Sequence, residues 1–331
     1  MSADANVERG YFTPRFKFNL SCYLILLLPV GMLTLFIYVP VMWAFTGSLF
    51  EFEIGGESQF VGFANYYEFL FLDPTTIPSL MNMLFITFFM VCVRLSFPLV
   101  VAKLIYSLTK EKYRYVYRIV FLIPIVVPGV AVQLIWAGMI YNDRGMLNEF
   151  LRLFDFTEVG FLLALGFTEE FLRSISPSGW TMGWLSDPRT ALIAVVFVGF
   201  PFVGGFEVLI YYAGLTGIPE SVNEAAELEG CTGLKKFFLI DIPMVMSQLK
   251  LILILTIIMS VQGFENLLIL TRGGPGFETT VPGLWMYFNA FSFQRMGYAC
   301  AIGVCLFILI FTLTFLNFRY FKSTEELEGK R

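Results

Sequence analysis

Residues 80–106 read LMNMLFITFFMVCVRLSFPLVVAKLIY, an apolar run that only two charged residues interrupt, Arg94 and Lys103. A helix needs about 20 predominantly apolar residues to cross the hydrocarbon core of a bilayer, which is about 30 Å thick. Five other runs are long enough, at about 21–46, 116–141, 190–213, 246–270 and 296–318. The pattern predicts an all-α integral membrane protein, a polytopic bundle of six transmembrane helices.

The composition agrees with a membrane protein. Of 331 residues, 57% are hydrophobic and only 15% are charged, and the mean hydropathy is +0.74. Soluble domains carry about 25% charged residues. The longest stretches outside the predicted spans, at about 141–189 and 214–245, are too short to fold as independent soluble domains. We therefore expect a single transmembrane domain at 21–318, between a 1–20 segment and a 319–331 tail.

The sequence lacks residues that several common kinds of catalytic site require. There is no histidine, which excludes Ser-His and Cys-His nucleophile systems and the H-E-x-x-H zinc motif. The five cysteines form no C-x-x-C pair and are expected to be small core residues. No G-x-x-x-x-G-K-[ST] loop is present, since the only Gly-Lys pair is Gly329-Lys330. We expect no catalytic residue, metal or cofactor in this chain, and no nucleic acid partner.

The loops differ in positive charge. With six spans, 15 of the 22 Lys and Arg residues fall on the side of the two termini, and six fall on the opposite side. The first loop of that opposite side, at about 47–79, is acidic and has no Lys or Arg. Because cytoplasmic loops hold an excess of positive charge, both termini are predicted to be cytoplasmic, together with the loop at about 219–245.

That cytoplasmic loop contains the stretch EAAELEGCTGLKKFFLIDIP at 224–243. Ser221 and Glu224 have the spacing of a capping box at a helix start, and the helix is expected to end at Gly230 or Gly233. A second helix, at 234–242, is expected to stop before Pro243, because proline disfavours helix at the preceding residue.

Two interpretations of the loop are open on local grounds. It is either an amphipathic linker on the membrane surface or a docking element. For docking, its paired alanines would allow close approach, and an acidic face would meet a basic partner through Glu220, Glu224 and Glu227.

The spacing of the loop is similar to the signature of permease subunits of binding-protein-dependent ABC importers, E-A-A, three residues, G, nine residues, I-x-L-P. The chain matches this signature at Glu224, Ala225, Ala226, Gly230, Ile240 and Pro243. It departs from the usual residues at Glu229, Cys231 and Ile242. Further stretches resemble the carbohydrate-uptake branch in the same order, at 60–66, 123–148, 211–226 and 270–291.

The resemblance implies a type I importer permease fold with several spans in a bacterial cytoplasmic membrane. The cytoplasmic loop would then be the coupling helix, which docks into a groove on an ATP-hydrolysing subunit. Also implied are two such subunits that bind ATP and Mg²⁺, a second, homologous permease and an extracytoplasmic solute-binding protein. The expected function is import of a sugar or oligosaccharide by alternating access.

Charged and polar residues inside the predicted spans indicate where a solute could pass. An ionisable group at the centre of a span costs about 2.5–3.5 kcal/mol on insertion scales, and Arg94, Glu207 and Glu265 stand at such places. The candidate path residues are Phe202, Phe206, Glu207, Gln262, Phe264, Glu265 and Asn266. The alternative is that Arg94 pairs with Glu207 or Glu265 as a structural link, and that the phenylalanines only pack.

Other functions stay open at this point. The loop signature indicates which kind of ATPase drives transport and does not indicate which solute is transported. The solute could therefore be a phosphorylated polyol, a peptide or an amino acid. An intramembrane enzyme or a stand-alone channel is the more distant alternative. The outer segment at about 156–186 would either contact the binding protein or serve as a long connector.

Overall fold

The computed structural model describes residues 14–52, 58–153 and 183–320. Its helices are α1 (Pro14–Leu33), α2 (Val39–Gly47), α3 (Ala64–Tyr67), α4 (Thr76–Tyr106), α5 (Glu111–Leu122), α6 (Gly129–Ile135), α7 (Met146–Leu153), α8 (Ala191–Phe197), α9 (Gly205–Thr216), α10 (Glu220–Leu228), α11 (Gly233–Lys236), α12 (Ile242–Met244), α13 (Met246–Gln262), α14 (Glu265–Leu270), α15 (Pro282–Tyr287) and α16 (Met296–Tyr320). A two-stranded antiparallel hairpin pairs β1 (Phe50–Glu51) with β2 (Gln59–Phe60).

Short π-helical or 3₁₀-helical turns join several of these segments. π-helical turns lie at Thr34–Tyr38, Glu68–Leu72, Trp136–Ile140, Phe237–Asp241 and Phe288–Ser292, and a 3₁₀ turn lies at Ile123–Val126. The all-α prediction is confirmed for the described residues, in which the hairpin is the only sheet.

Three helices of the described part are long and apolar enough to cross a bilayer: Cys22–Gly47, Thr76–Tyr106 and Met296–Arg319. Two further pairs qualify only if each bent pair counts as one span. They are Glu111–Val126 with Gly129–Ile140, bent by 84°, and Gly233–Met244 with Met246–Gln262, bent by 69°. The described residues therefore hold three to five spans by this measure, and the count of six stays a prediction.

The apolar run at 190–213 does not form one helix. α8 ends at Phe197, α9 begins at Gly205, and the residues between them are not helical. Phe202 in this segment has a φ of 63°, which is uncommon for a residue other than glycine. Hydropathy did not predict the break, because phenylalanine, valine, proline and glycine keep the segment apolar while proline and glycine favour leaving the helix.

Pro243 does not stop the helix predicted at 234–242, so that prediction is wrong. The chain passes from α11 through the π turn Phe237–Asp241 into α12, and the break comes at Val245. In the π turn the N–H of Ile242 bonds to the carbonyl of Phe237. This change in hydrogen-bond register just before Pro243 lets a residue without an N–H be accommodated.

Two hydrophobic cores hold the helices together. One core joins the first half of α4 to α14, α15 and α16 through residues such as Met83, Leu284 and Ile302; we call it the outer core after the side predicted for it by the Lys and Arg distribution. The other joins the second half of α4 to α9 and α13, with Leu99, Tyr211 and Ile252 fully or nearly fully buried; we call it the cytoplasmic core on the same ground. α4 and α13 contribute to both cores, since Val261 of α13 belongs to the first and Ile252 of α13 to the second.

The outer core is closed by polar contacts around Asp73, just before α4. Its carboxylate accepts hydrogen bonds from Trp285 Nε1 at 2.7 Å and Tyr298 Oη at 2.5 Å, and from the backbone N–H of Thr75 at 2.8 Å. Burial alone would raise the pKa of Asp73, but these hydrogen bonds outweigh it, so the pKa lies below its usual value. Asp73 thus links the segment just before α4 to α15 and α16.

Candidate transport path and docking loop

Helix α10, which carries Glu224, Ala225 and Ala226 of the signature, forms without a side-chain cap. Pro219 occupies the N-cap position, no side chain bonds to the cap, and Ser221 is the second residue inside the helix. The predicted capping box of Ser221 and Glu224 is therefore wrong. Pro219 has a φ of −57° and a ψ of 138°, so it directs the chain into the helix by its fixed φ rather than by a hydrogen bond.

The end of α10 is defined by Gly230. The Gly230 N–H bonds to the Glu227 carbonyl at 3.0 Å, and the Cys231 N–H bonds to the Ala226 carbonyl at 2.8 Å. Gly230 has a φ of 69°, which glycine adopts without steric cost. These bonds form a Schellman motif, with Ala226 and Cys231 both buried. The predicted helix end at Gly230 is confirmed.

α10 presents one face to solvent and one to its own chain. Ala226 is buried and Val222 packs on the cytoplasmic core, so only the first of the two signature alanines is exposed. We give the name docking face to five of the exposed residues: Glu224, Ala225, Glu227, Leu228 and, just beyond the glycine turn, Leu234. Of the remaining signature residues, Ile240 is half-buried and Pro243 is exposed.

Two leucines of the docking face were not singled out by the sequence. Leu228 is 90% exposed and Leu234 is 76% exposed. The signal was present as two leucines beside the glycines of an otherwise charged segment. Leucines this exposed fit either interpretation of the loop, since another protein or the membrane surface could cover them.

A cavity of about 720 Å³ lies between α4, α9, α13 and the segment joining α8 to α9. Four of the seven predicted path residues line it: Phe202, Phe206, Glu207 and Asn266. Arg94 lines the same cavity from α4, together with Thr256 and Met259 from α13. The cavity therefore combines aromatic rings with a few hydrogen-bonding groups, which is the composition typical of a small-molecule site.

Arg94 pairs with Glu207 and not with Glu265. Arg94 Nη1 lies 2.8 Å from Glu207 Oε1, and the two side chains are 38% and 9% exposed. The ion pair links α4 to α9 at the wall of the cavity. The two interpretations of these charges, a structural link between helices and a contact for the solute, are therefore compatible. The pair joins α4 to α9, and its guanidinium also lines the cavity.

Phe202 has structural neighbours on several sides. Its ring lies 5.6 Å from that of Phe89, 5.7 Å from Phe197 and 5.5 Å from Phe200, measured between centroids. Gly205, at the start of α9, allows close packing beside it, since a Cβ there would lie 2.2 Å from the Phe121 carbonyl oxygen. These contacts fix the break between α8 and α9 against α4 and α5.

The other predicted path residues lie apart from this cavity. Gln262 lines a second cavity of about 490 Å³ between α13, α15 and α16. Phe264 packs on Tyr287 at 5.5 Å, and Glu265 Oε2 accepts the backbone N–H of Phe264 at 3.2 Å. Neither Phe264 nor Glu265 lines either cavity.

One polar contact next to the main cavity was not predicted. Gln133 of α6 donates from Nε2 to Asn266 Oδ1, and Gln133 Oε1 is buried without a partner among the described residues. The signal was a single amide in the apolar run at 116–141. Nowhere among the residues that the structure describes do three or more Cys, Asp or Glu side chains gather as a metal site would require.

Comparison with known proteins gives relatives along most of the chain, although no family model matches it. A probable ABC transporter permease protein, YurN of Bacillus subtilis, is 28% identical over 302 residues, covering 91% of this chain and 96% of YurN. The trehalose/maltose transport system permease protein MalF of Thermococcus litoralis is 29% identical over 303 residues, covering 91% and 94%. The sulfoquinovosyl glycerol transport system permease protein SmoG of Agrobacterium fabrum is 28% identical, covering 91% and 90%.

Solved structures agree at the level of fold. A chain of a bacterial alginate ABC transporter, solved in complex with its alginate pentasaccharide-bound periplasmic protein, matches with a TM-score of 0.74 at 17% identity, covering 92% of this chain and 94% of the other. A bacterial ABC transporter for alginate import matches with a TM-score of 0.73 at 18% identity, covering 93% and 98%. The resemblance to the permease subunits of carbohydrate-importing ABC transporters, which are transport components rather than enzymes, is therefore confirmed along nine-tenths of this chain.

Proposed function

We propose that this chain is the transmembrane permease subunit of an ATP-driven importer for a sugar or oligosaccharide. The observation that carries the proposal is the docking face, an exposed acidic and leucine-containing surface on the loop with the signature spacing. The relatives named for trehalose or maltose, sulfoquinovosyl glycerol and alginate support a carbohydrate cargo.

In this proposal six spans cross the cytoplasmic membrane, with the bent pairs and the α8–α9 segment each belonging to one span. Both termini and the docking face lie on the cytoplasmic side, as the distribution of Lys and Arg favours. The hairpin and the Asp73 contacts lie on the outer side, where an extracytoplasmic solute-binding protein would deliver its solute.

The docking face would contact one of two ATPase subunits, which bind ATP and Mg²⁺ themselves. Leu228 and Leu234 would fill an apolar groove, and Glu224 and Glu227 would pair with cations at its rim. A second, homologous permease would complete the path. ATP favours the closed ATPase dimer, and that difference in affinity would shift the permease from inward-facing to outward-facing.

The cavity beside Arg94 would form part of the solute path. The guanidinium and the Asn266 amide can donate hydrogen bonds, the Glu207 carboxylate can accept them, and the ring of Phe206 can pack on the apolar face of a sugar. Because the ion pair has no net charge, this site suits a neutral, hydroxyl-rich solute better than a free cation.

The test is affinity purification of the tagged chain from native membranes in mild detergent, followed by mass spectrometry and an ATPase assay. We expect the unchanged chain to carry an ATPase, a second permease and a binding protein. Glu224→Lys, which reverses a charge on the docking face, should release the ATPase only. Lys112→Glu, a charge reversal at an exposed position of α5, is the matched control and should retain it. Recovery of the chain alone, or equal ATPase retention in both variants, would overturn the proposal.

A further inference from the structure

A second ion pair lies between the docking loop and α4. Lys103 Nζ, near the cytoplasmic end of α4, is 2.5 Å from Asp241 Oδ2. The Asp241 side chain is 0% exposed and that of Lys103 is 21% exposed. Asp241 belongs to the π turn that follows α11, one glycine turn beyond the docking helix.

Asp241 depends on Lys103. Its Oδ1 has no hydrogen-bond partner among the described residues, and the contact of Oδ2 with Lys103 is close but lacks hydrogen-bond geometry. The Lys103 ammonium also lies over the Tyr106 ring, 5.3 Å from its centroid. A fully buried carboxylate with one cationic partner is strongly disfavoured once that partner leaves. Separation of α4 from the π turn is therefore costly.

Apolar packing would constrain these elements less strictly. Phe237, at the start of the π turn, and Ile242, next to Asp241, pack on the same cytoplasmic core as α4. Hydrophobic stabilisation follows buried area and has no direction, so such helices can slide a short way at little cost. The attraction between two charges depends directly on their distance. The ion pair is thus the contact that fixes the position of the π turn along α4.

α4 continues from this point to the cavity. Lys103 and Arg94 lie nine residues apart on one uninterrupted helix, which separates them by about 13.5 Å along the axis at 1.5 Å per residue. At 100° per residue they lie on roughly opposite faces, so α4 has the docking segment on one side and α9, through Glu207, on the other.

We infer that Lys103 and Asp241 are positioning residues that make the docking loop and α4 move as one body, so that closure of the ATPase subunits reaches the wall of the solute cavity. The inference rests on the proposed function. It adds to the loop signature a contact that the signature does not include, since Asp241 occupies its variable position between Ile240 and Ile242.

The experiment separates transmission from folding with a double variant. Lys103→Met alone leaves a buried unpaired carboxylate, whereas Lys103→Met with Asp241→Leu removes both charges and keeps apolar volume, a change that is often neutral for stability. Lys110→Met, which removes an exposed cation just beyond α4, is the matched control.

The readout is access to the cavity in inside-out membrane vesicles that contain the whole transporter. The five native cysteines are replaced by alanine, and Met90→Cys, on the cavity wall of α4, reports reaction with a membrane-impermeant thiol reagent. Mg-ATP with orthovanadate is the only ligand added. In the parent and in Lys110→Met we expect it to slow the reaction of Met90→Cys, because the cavity closes to the cytoplasm. In the double variant we expect nucleotide to be trapped as before and this slowing to be lost.

A double variant that traps nucleotide and slows the reaction as the parent does would overturn the inference and leave the proposed function intact. A parent that traps no nucleotide would instead overturn the proposed function. Should the double variant lose its ATPase subunits, Lys103→Arg and Lys103→Gln decide the matter. The charge pair predicts slowing in the arginine variant and none in the glutamine variant, and equal slowing in both would overturn the inference.

Discussion

The two ion pairs of α4 differ in their surroundings. Arg94 and Glu207 meet at the wall of a cavity, with the guanidinium side chain 38% exposed. Lys103 and Asp241 meet at the edge of a closed core, with the carboxylate side chain fully buried. A pair at a cavity wall can exchange a protein contact for one with water or solute, whereas a closed pair cannot. The two cations of α4 thus suit different roles. Arg94 is placed to contact a solute, and Lys103 is placed to attach the docking loop to α4.

The largest effect is expected at the closed pair. Lys103→Met should lower the free energy of unfolding by about 3–5 kcal/mol, because it leaves a buried charge without its partner. Thermal unfolding of the purified chain in detergent, or its yield in membranes, measures this. Lys110→Met should change stability little, because Lys110 is exposed. Equal stability of the two variants would mean that Asp241 has another source of compensation.

A smaller effect is expected at the cavity pair. Arg94→Met should cost about 1–3 kcal/mol, because water in the cavity can reach the Glu207 carboxylate that is left behind. The same unfolding measurement applies, and uptake by the whole transporter should fall more than stability does. A loss as large as that of Lys103→Met would contradict the distinction between an open and a closed pair.

Asp73 extends the comparison to the N-terminal end of α4, where a carboxylate accepts hydrogen bonds from neutral donors. Its pKa is below the usual value of about 3.9, so its contribution to stability is present above about pH 4 and is lost as the pH falls through the lower, folded-state pKa. Asp73→Asn should lower stability at pH 7 by about 1 kcal/mol. It should also flatten the dependence of stability on pH below about pH 4. Unfolding curves between pH 3 and 7 test this, and an unchanged acid dependence would contradict it.

The smallest effect is expected at the surface of the docking loop. Lys236 Nζ lies 3.8 Å from Glu227 Oε1, and the side chains of Lys236 and Glu227 are 15% and 69% exposed. A long pair whose carboxylate is solvent-exposed contributes about 0–1 kcal/mol. Lys236→Ala should therefore leave the unfolding temperature nearly unchanged. Asp241 lies only five residues further along the chain, and loss of its partner Lys103 is expected to have the largest effect. A large loss of stability would show that the exposure of an ion pair does not determine its contribution to stability in this molecule.

Much of the helical layout follows from apolar runs, since α1 with α2, α4 and α16 fall where hydropathy predicts them. The breaks do not all follow from it. The bend before α6 is readable from Pro128, because Val127 adopts an extended ψ of 125° ahead of the proline. The break at 198–204 depends on the contacts of Phe202 and the close approach at Gly205, which are tertiary features.

The site was predictable to a similar extent. Phe202, Phe206, Glu207 and Asn266 line one cavity, whereas Gln262, Phe264 and Glu265 do not line it. The charge of Glu207 inside an apolar run marked it as a candidate, but which polar and aromatic residues share a cavity depends on the tertiary packing. The pairing of Lys103 with Asp241 was not predictable, because the two residues are far apart in the chain and the sequence around each does not identify its partner. The exposure of Leu228 likewise depends on which face of α10 the core buries.

The most direct test of the central claim is to place a photo-crosslinking amino acid at Leu228 in the chain within native membranes. The account predicts a crosslink to a subunit with a phosphate-binding G-x-x-x-x-G-K-[ST] loop, and no such product from the same probe at Val222, which packs on the cytoplasmic core. Crosslinks from Leu228 only to lipid or to this chain itself would show that the exposed leucines lie on the membrane surface, and the docking account would be contradicted.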